Sequence, residues 1–129
     1  MFKKILTKNS DYFYFVFRVI IGITFLLHGY MKLPGILNGS TSMTSLMWYA
    51  GIIEIVAGVF IILGLFVTYS AFIAAIEMLV AFFYAHVAKS GTLNPLANKG
   101  EAALLFFAAF LILMTQGAKK WSLDKLFKR

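Results

Sequence analysis

Cysteine is absent from this chain, and acidic residues and histidines are few. The 129 residues include five Asp or Glu and two His. The missing thiols exclude disulfides, thiol redox catalysis and cysteine-ligated metal centres within the chain. No HxxH or ExxH pair is present, so a haem, metal or nucleotide cofactor is not expected.

Long stretches also lack charge, which points to a membrane protein. Hydrophobic residues make up 61% of the chain, and the mean hydropathy is +0.87. The run 47–88 contains only three ionisable residues, Glu54, Glu77 and His86. It is too long for one crossing, since a spanning helix needs about 17–25 residues. We therefore predict two helices joined by a tight turn near 64–70.

The hydrophobic pattern predicts an all-α membrane protein, a single domain over 1–129 folded as a four-transmembrane-helix bundle. The net charge of +7 comes from basic residues that flank the apolar runs, which favours anionic lipid headgroups and not nucleic acid. Eight Lys or Arg fall in the terminal segments and three near the other loops, which predicts an N-in/C-in topology. The predicted spans are about 12–30, 48–66, 70–88 and 101–116.

Arg18 and Glu77 are predicted to form a structural ion pair. At about 1.5 Å rise per residue, both lie roughly 10 Å from the inner edge of their spans. Arg18 shares a helical face with Gly22 and Gly29, and small residues on a face let helices approach closely. Unpaired charge is costly in lipid, so we expect the two side chains to meet.

A second group of ionisable residues is predicted near the outer interface. Glu54 lies roughly 18 Å from the inner edge, and both histidines roughly 24 Å. The group could bind a polar headgroup or relay protons, since His titrates near neutral pH. Alternatively, Glu54 is protonated and bonded across helices, and the histidines contact headgroups. The predicted members are His28, Lys32, Glu54, His86 and Glu101.

Three stretches resemble the DoxX family of small bacterial membrane proteins. FRVIIGITFLLHGYMKL (17–33) is similar to that family's opening, and GIIEIVAGVFIILGLFVTYSA (51–71) to its second span with a glutamate. NPLANKGEAALLFFAAFLIL (94–113), followed by QGAKKWSLDKLF (116–127), resembles its last span and its ending. The resemblance implies a four-helix bundle in the bacterial inner (plasma) membrane. Glu77 departs from the resemblance, because we do not expect an acidic residue at this position in every member of the family.

The family resemblance implies a quinone-associated redox component in oxidative or sulfur and thiol stress metabolism. In this hypothesis Glu54, His28, His86 and Glu77 are the catalytic candidates, and quinone contacts come from His28, Glu54, His86 and Glu101. A partner protein would have to supply electrons, and oligomerisation is left open. The rival is a non-catalytic membrane scaffold or assembly factor. A small-solute transporter is less favoured, because four unbroken spans leave little room for alternating access.

Overall fold

The computed structural model describes residues 1–127, and every regular element in that range is a helix. Three helical runs are long and apolar enough to cross a membrane: Ser10–Leu37, Leu46–Leu63 and Val67–Ser90. A fourth apolar helix, Glu101–Gln116, is shorter at 16 residues. In chain order the elements are α1 (Phe2–Lys8), α2 (Ser10–Leu37), α3 (Leu46–Leu63), α4 (Val67–Ala81), a π-helix (Phe82–Val87), α5 (Ala88–Ser90), α6 (Glu101–Gln116) and α7 (Leu123–Leu126).

The helix bounds agree with the sequence prediction for α6 and differ from it elsewhere. α6 spans 101–116 as predicted. α2 continues to Leu37, well past the predicted end at 30, and includes Pro34 in its last turns. A proline has no backbone N–H to donate and usually breaks or kinks a helix in its interior. Near the C-terminal end of a helix it disturbs only the last turns. The predicted outer loop therefore begins after α2, at Asn38.

The turn between α3 and α4 is tighter than the sequence indicates. Gly64 adopts a left-handed conformation (φ 70°) and ends α3, as is common for glycine after a helix. α4 then begins at Val67, three residues before the predicted start of its span at 70. The two helices consequently form an antiparallel hairpin with only three residues between them.

α2 and α3 approach so closely that their backbones are in contact. Gly22 and Gly29 share one face of α2, and Gly58 faces them from α3. A Cβ added at Gly22 would lie 2.9 Å from the Ile62 amide nitrogen, and one at Gly58 would lie 2.9 Å from the Leu26 amide nitrogen. Real Cβ atoms do not approach this closely, so the close packing depends on glycine, as the sequence pattern predicts.

An apolar core joins α4 and α6 to the face of α2. The rings of Phe25, Phe106 and Phe110 contact one another with centroids 4.7–5.9 Å apart. At one end of the bundle, Gly100 before α6 packs on Phe82 of the π-helix. At the other end, the segment after α6 returns to the start of α2. The start of α2 and the segment that follows α6 therefore lie at the same end of the bundle as the α3–α4 turn.

Candidate functional site

Arg18 is a fully buried charge at the end of the bundle that holds the α3–α4 turn. Its five N–H groups donate to five backbone carbonyl oxygens at 2.5–3.5 Å. Two of these carbonyls end α3, and three belong to the segment after α6. The acceptors are Ile61, Ile62, Ala118, Lys120 and Trp121. A guanidinium has five donors in a rigid fork, so this arrangement uses all of its hydrogen-bonding capacity.

The segment 117–124, called here the C-terminal strap, has a backbone shaped to present these carbonyls. Gly117, Lys119 and Trp121 all have positive φ (72°, 58° and 54°), at every second position. The left-handed conformation costs a non-glycine residue about 1–2 kcal/mol. Charged hydrogen bonds contribute about 1.5–3 kcal/mol each, so the bonds to Arg18 offset this cost.

Further contacts fasten the strap to the start of α2. The Tyr14 hydroxyl donates to the Gly117 carbonyl. Lys120 forms an ion pair with Asp11 at 3.1 Å. The Trp121 ring packs 4.9 Å from that of Tyr12, centroid to centroid. The strap is thus held to the rest of the protein along its length.

Asp124 closes the strap by capping α4. Its two carboxylate oxygens accept from the amides of Phe66 (2.7 Å) and Val67 (3.0 Å), the first donors of the helix. The Asp124 amide in turn donates to the Gly64 carbonyl at 2.8 Å. A carboxylate at a helix N-terminus satisfies unpaired donors and interacts favourably with the helix dipole. Asp124 also interacts electrostatically with the Arg18 guanidinium, so the acidic residue near Arg18 is Asp124 and not the predicted Glu77.

The predicted Arg18–Glu77 ion pair is wrong. Arg18 bonds carbonyls near the α3–α4 turn, whereas Glu77 lies beside Glu54 and Lys32 further along the bundle. The depth estimate failed because α4 starts at Val67 and not at 70, so Glu77 lies further from the turn than the sequence suggests.

Lys32 and Glu54 form a buried ion pair between α2 and α3. The Lys32 ammonium lies 2.7 Å from a Glu54 carboxylate oxygen, and the Glu54 side chain is 3% exposed. Lys32 also contacts the His28 carbonyl at 3.5 Å, one turn back on its own helix. The added Cβ positions show why the pair fits here: Gly29 leaves room for Glu54, and Gly51 for the Lys32 stem. These two members of the predicted outer group are therefore brought together.

Glu77 adds a second carboxyl to this pair, which we call the carboxyl cluster (Lys32, Glu54 and Glu77). It interacts electrostatically with both other members. Both Glu77 oxygens are buried and lack a hydrogen bond of good geometry among residues 1–127, although the Glu54 carboxyl is close enough to interact with Glu77 as a side-chain hydrogen-bond partner. A buried carboxyl without such a bond is costly and, inside a membrane, marks a functional candidate. The sequence includes the signal, since Glu54 and Glu77 are about equally far from the turn.

The other predicted outer residues lie apart from the cluster. His28 places its ring edge-on against Phe106, with centroids 5.4 Å apart. A His86 ring nitrogen lies 3.1 Å from the Asn98 carbonyl in the loop before α6. Glu101 is exposed at the start of α6. The side chains of the two histidines therefore contact groups outside the cluster, and a single pocket of all five residues stays a prediction. Asn98 is buried, and the sequence analysis did not single it out.

An apolar groove open to the side of the bundle leads toward the cluster between α3 and α4. Its volume is about 500 Å³, and aromatic rings of Phe60, Phe66 and Tyr69 line it. Its α4 wall follows one helical face to Ile73, and Glu77 is the next residue on that face at i+4. An amphipathic molecule with an apolar body could therefore lie in the groove with its polar end near a carboxyl.

Within residues 1–127, no group of three or more acidic, histidine or cysteine side chains is placed to hold a metal ion. The two histidines contact different elements, one a ring on α6 and the other a loop carbonyl. The geometry therefore offers protonatable and apolar groups and not a metal-ligand set.

The fold and the two polar centres define a multi-pass membrane protein held by buried charge. The DoxX family model matches residues 13–87, which include Arg18 and the whole carboxyl cluster. A protein of *Haemophilus influenzae*, described as uncharacterized, is 39% identical over 131 residues, covering 96% of this chain and 98% of its own length. No solved structure matches significantly. The chain belongs to the DoxX family.

Proposed function

We propose that this protein is a quinone-associated redox component of a bacterial inner membrane, acting with a partner protein that supplies electrons in oxidative or sulfur and thiol stress metabolism. The observation that carries the proposal is the carboxyl of Glu77, whose buried oxygens lack a hydrogen bond of good geometry and which follows Ile73 of the apolar groove wall by one helical turn. A quinone supplies two-electron, two-proton chemistry, and the chain offers both an apolar bed and a protonatable group for such a ligand.

The roles within the site follow from the contacts. Glu77 holds or releases a proton at its oxygens, because no hydrogen bond of good geometry fixes them and the neighbouring Glu54 carboxyl can share that proton. The Lys32–Glu54 pair orients the site and contributes a nearby positive charge. His28 is one turn from Lys32, whose ammonium contacts the His28 carbonyl oxygen. His86 and Glu101 remain candidates on the outer side of the site.

The proposal places four helices across the membrane with both termini in the cytoplasm. Two observations support it: α6 runs from the π-helix end of the bundle back to Arg18, and most Lys and Arg lie in the terminal segments. α6 itself would span about 24 Å, so the strap extends its reach on the cytoplasmic side.

Quinone content is the test. The protein is purified in mild detergent, extracted with organic solvent and analysed for quinone by mass spectrometry. Near-stoichiometric quinone, reduced at least several-fold in Glu77→Gln, supports the site; Asp11→Asn, at a carboxyl outside the site whose side chain is 39% exposed, is the matched control. Quinone at the level of an unrelated membrane protein in wild type would sink the proposal.

A second candidate function is a non-catalytic scaffold for a partner complex. The contacts of Arg18 favour it. All donors of this buried guanidinium are hydrogen-bonded to backbone carbonyls, so Arg18 holds two segments of the chain together and has no donor left for a ligand. Glu54→Gln separates the candidates. Loss of quinone with a folded protein indicates a ligand site, and loss of the folded state indicates a structural role.

A further inference from the structure

The end of the bundle that holds Arg18 also carries a basic surface built from both ends of the chain. α1 and the strap with α7 contribute the lysines, and both segments flank the start of α2. Two acidic residues lie there: the Asp124 oxygens cap α4, and Asp11 pairs with Lys120 at 3.1 Å, so the other lysines carry the unpaired positive charge. The lysines of this surface, which we call the basic platform, are Lys3, Lys4, Lys8, Lys119, Lys120 and Lys125.

α1 is a short amphipathic helix without a partner inside the protein. It buries no residue, and Phe2 and Ile5 are more than half exposed. Its apolar residues recur at i, i+3 and i+4, so one side of the helix is apolar while the lysines occupy the other. A helix of 7 residues is marginal alone in water, so α1 needs a surface to pack on.

The strap presents its lysines and an interfacial aromatic side chain in fixed positions. Lys119 lies 4.8 Å above the Tyr14 ring, a cation–π contact that orients the ammonium. Trp121 is about half exposed although it packs on Tyr12 and Phe15. Tryptophan with one apolar side and one polar end is typical of the headgroup region of a membrane.

We propose that the basic platform binds the phosphate groups of anionic phospholipids in the adjacent leaflet, with the apolar side of α1 inserted among the acyl chains. The occupant is identified by charge and position. Lysines near an anionic surface contribute about 1 kcal/mol each, and an amphipathic basic helix of this pattern lies in the interface. The two segments come from opposite ends of the chain, so bound lipid would bridge α1 and the strap and stabilise the contacts of Arg18.

The test is the lipid dependence of thermal stability in detergent. Phosphatidylglycerol is added to the purified full-length protein, and its effect on Tm is compared with that of phosphatidylcholine and of inorganic phosphate at the same phosphate concentration. We expect the largest rise with phosphatidylglycerol. Equal rises with both lipids, or an equal rise with inorganic phosphate, would overturn the proposal, the latter because the surface would then bind free anions.

Two lysine variants of equal charge provide the decisive comparison. Lys119→Gln with Lys125→Gln removes two charges from the basic platform, and Lys89→Gln with Lys99→Gln removes two from the opposite end of the bundle. All four side chains are exposed, so the folded state should persist in both variants. The rise in Tm that phosphatidylglycerol gives beyond phosphatidylcholine should fall by at least half in the first variant and should persist in the second. Similar losses in both variants would show a general effect of charge on Tm. If phosphatidylglycerol raised the Tm of the wild type no more than phosphatidylcholine does, the proposal would be wrong, and an acidic protein would remain as the occupant.

Discussion

Glu54 and Glu77 lie at matching heights on the two arms of the α3–α4 hairpin. Glu54 is nine residues before Leu63, the last residue of α3, and Glu77 is ten residues after Val67, the first of α4. Both are therefore about 14–15 Å from the turn along their helices. Glu54 forms an ion pair with Lys32, whereas Glu77 forms no ion pair, so the two neighbouring carboxyls have different polar contacts.

The two carboxyls should respond differently to neutralisation. Glu54→Gln leaves the partly buried Lys32 ammonium, whose side chain is 22% exposed, without its carboxylate, which should lower the free energy of unfolding by about 1–3 kcal/mol. Glu77→Gln replaces a carboxyl that forms no ion pair and no hydrogen bond of good geometry with an amide of the same size, so stability should stay within about 1 kcal/mol of wild type. Unfolding in detergent, followed by circular dichroism, measures both. Equal destabilisation by the two substitutions would show that Glu77 is also held by specific bonds.

The sequence predicts more of the fold than of the site. Apolar runs and flanking lysines predict the helices, and the glycine spacing predicts a face of the first span that another helix can approach closely, but not that α3 is that helix. The first residue of α4 could not be predicted from the neighbouring sequence, because the residue that caps this helix, Asp124, lies far along the chain. That three-residue error placed Glu77 beside Arg18 in the prediction, while in the structure it lies beside Glu54. The resemblance at WSLD points to the capping residue but not to its partner.

Arg18 should be irreplaceable by lysine. Arg18→Lys keeps the charge but offers three donors in place of five, and a lysine lacks the planar fork. Several strap carbonyls would lose their donor, so we expect a loss of about 3 kcal/mol or more and a loosened strap. Limited trypsin digestion should then cleave after Lys119 or Lys120 at least several-fold faster than in wild type.

A surface ion pair on the same strap is the control for Arg18. Asp11→Asn breaks the contact of Asp11 with Lys120, whose side chains are 39% and 52% exposed. Exposed pairs contribute about 0–1 kcal/mol, so stability and the digestion rate should change little. If Asp11→Asn released the strap as fully as Arg18→Lys, the surface pair and not the guanidinium would hold it.

Asp124 should stabilise the protein through the start of α4. Asp124→Ala removes the acceptors for the amides of Phe66 and Val67 and should cost about 1–2 kcal/mol. Asp124→Asn keeps one oxygen and should lie between alanine and wild type. Hydrogen exchange of those two amides tests the mechanism, since only a lost cap exposes them. Unchanged protection in Asp124→Ala would show that another group satisfies these donors.

Gly58 should not tolerate even one added carbon. In Gly58→Ala the new Cβ would lie 2.9–3.0 Å from the Leu26 backbone, which belongs to a rigid helix and cannot move aside as a flexible side chain could. α2 and α3 must then separate, which weakens the Lys32–Glu54 contact as well. We expect a loss of about 1–3 kcal/mol, the usual cost of overpacking. Ala108→Val adds carbons on an exposed part of α6 and should leave the unfolding midpoint nearly unchanged. A Gly58→Ala protein as stable as Ala108→Val would mean that the two helices have room to separate without cost, and that their backbone contact does not set the geometry of the carboxyl cluster.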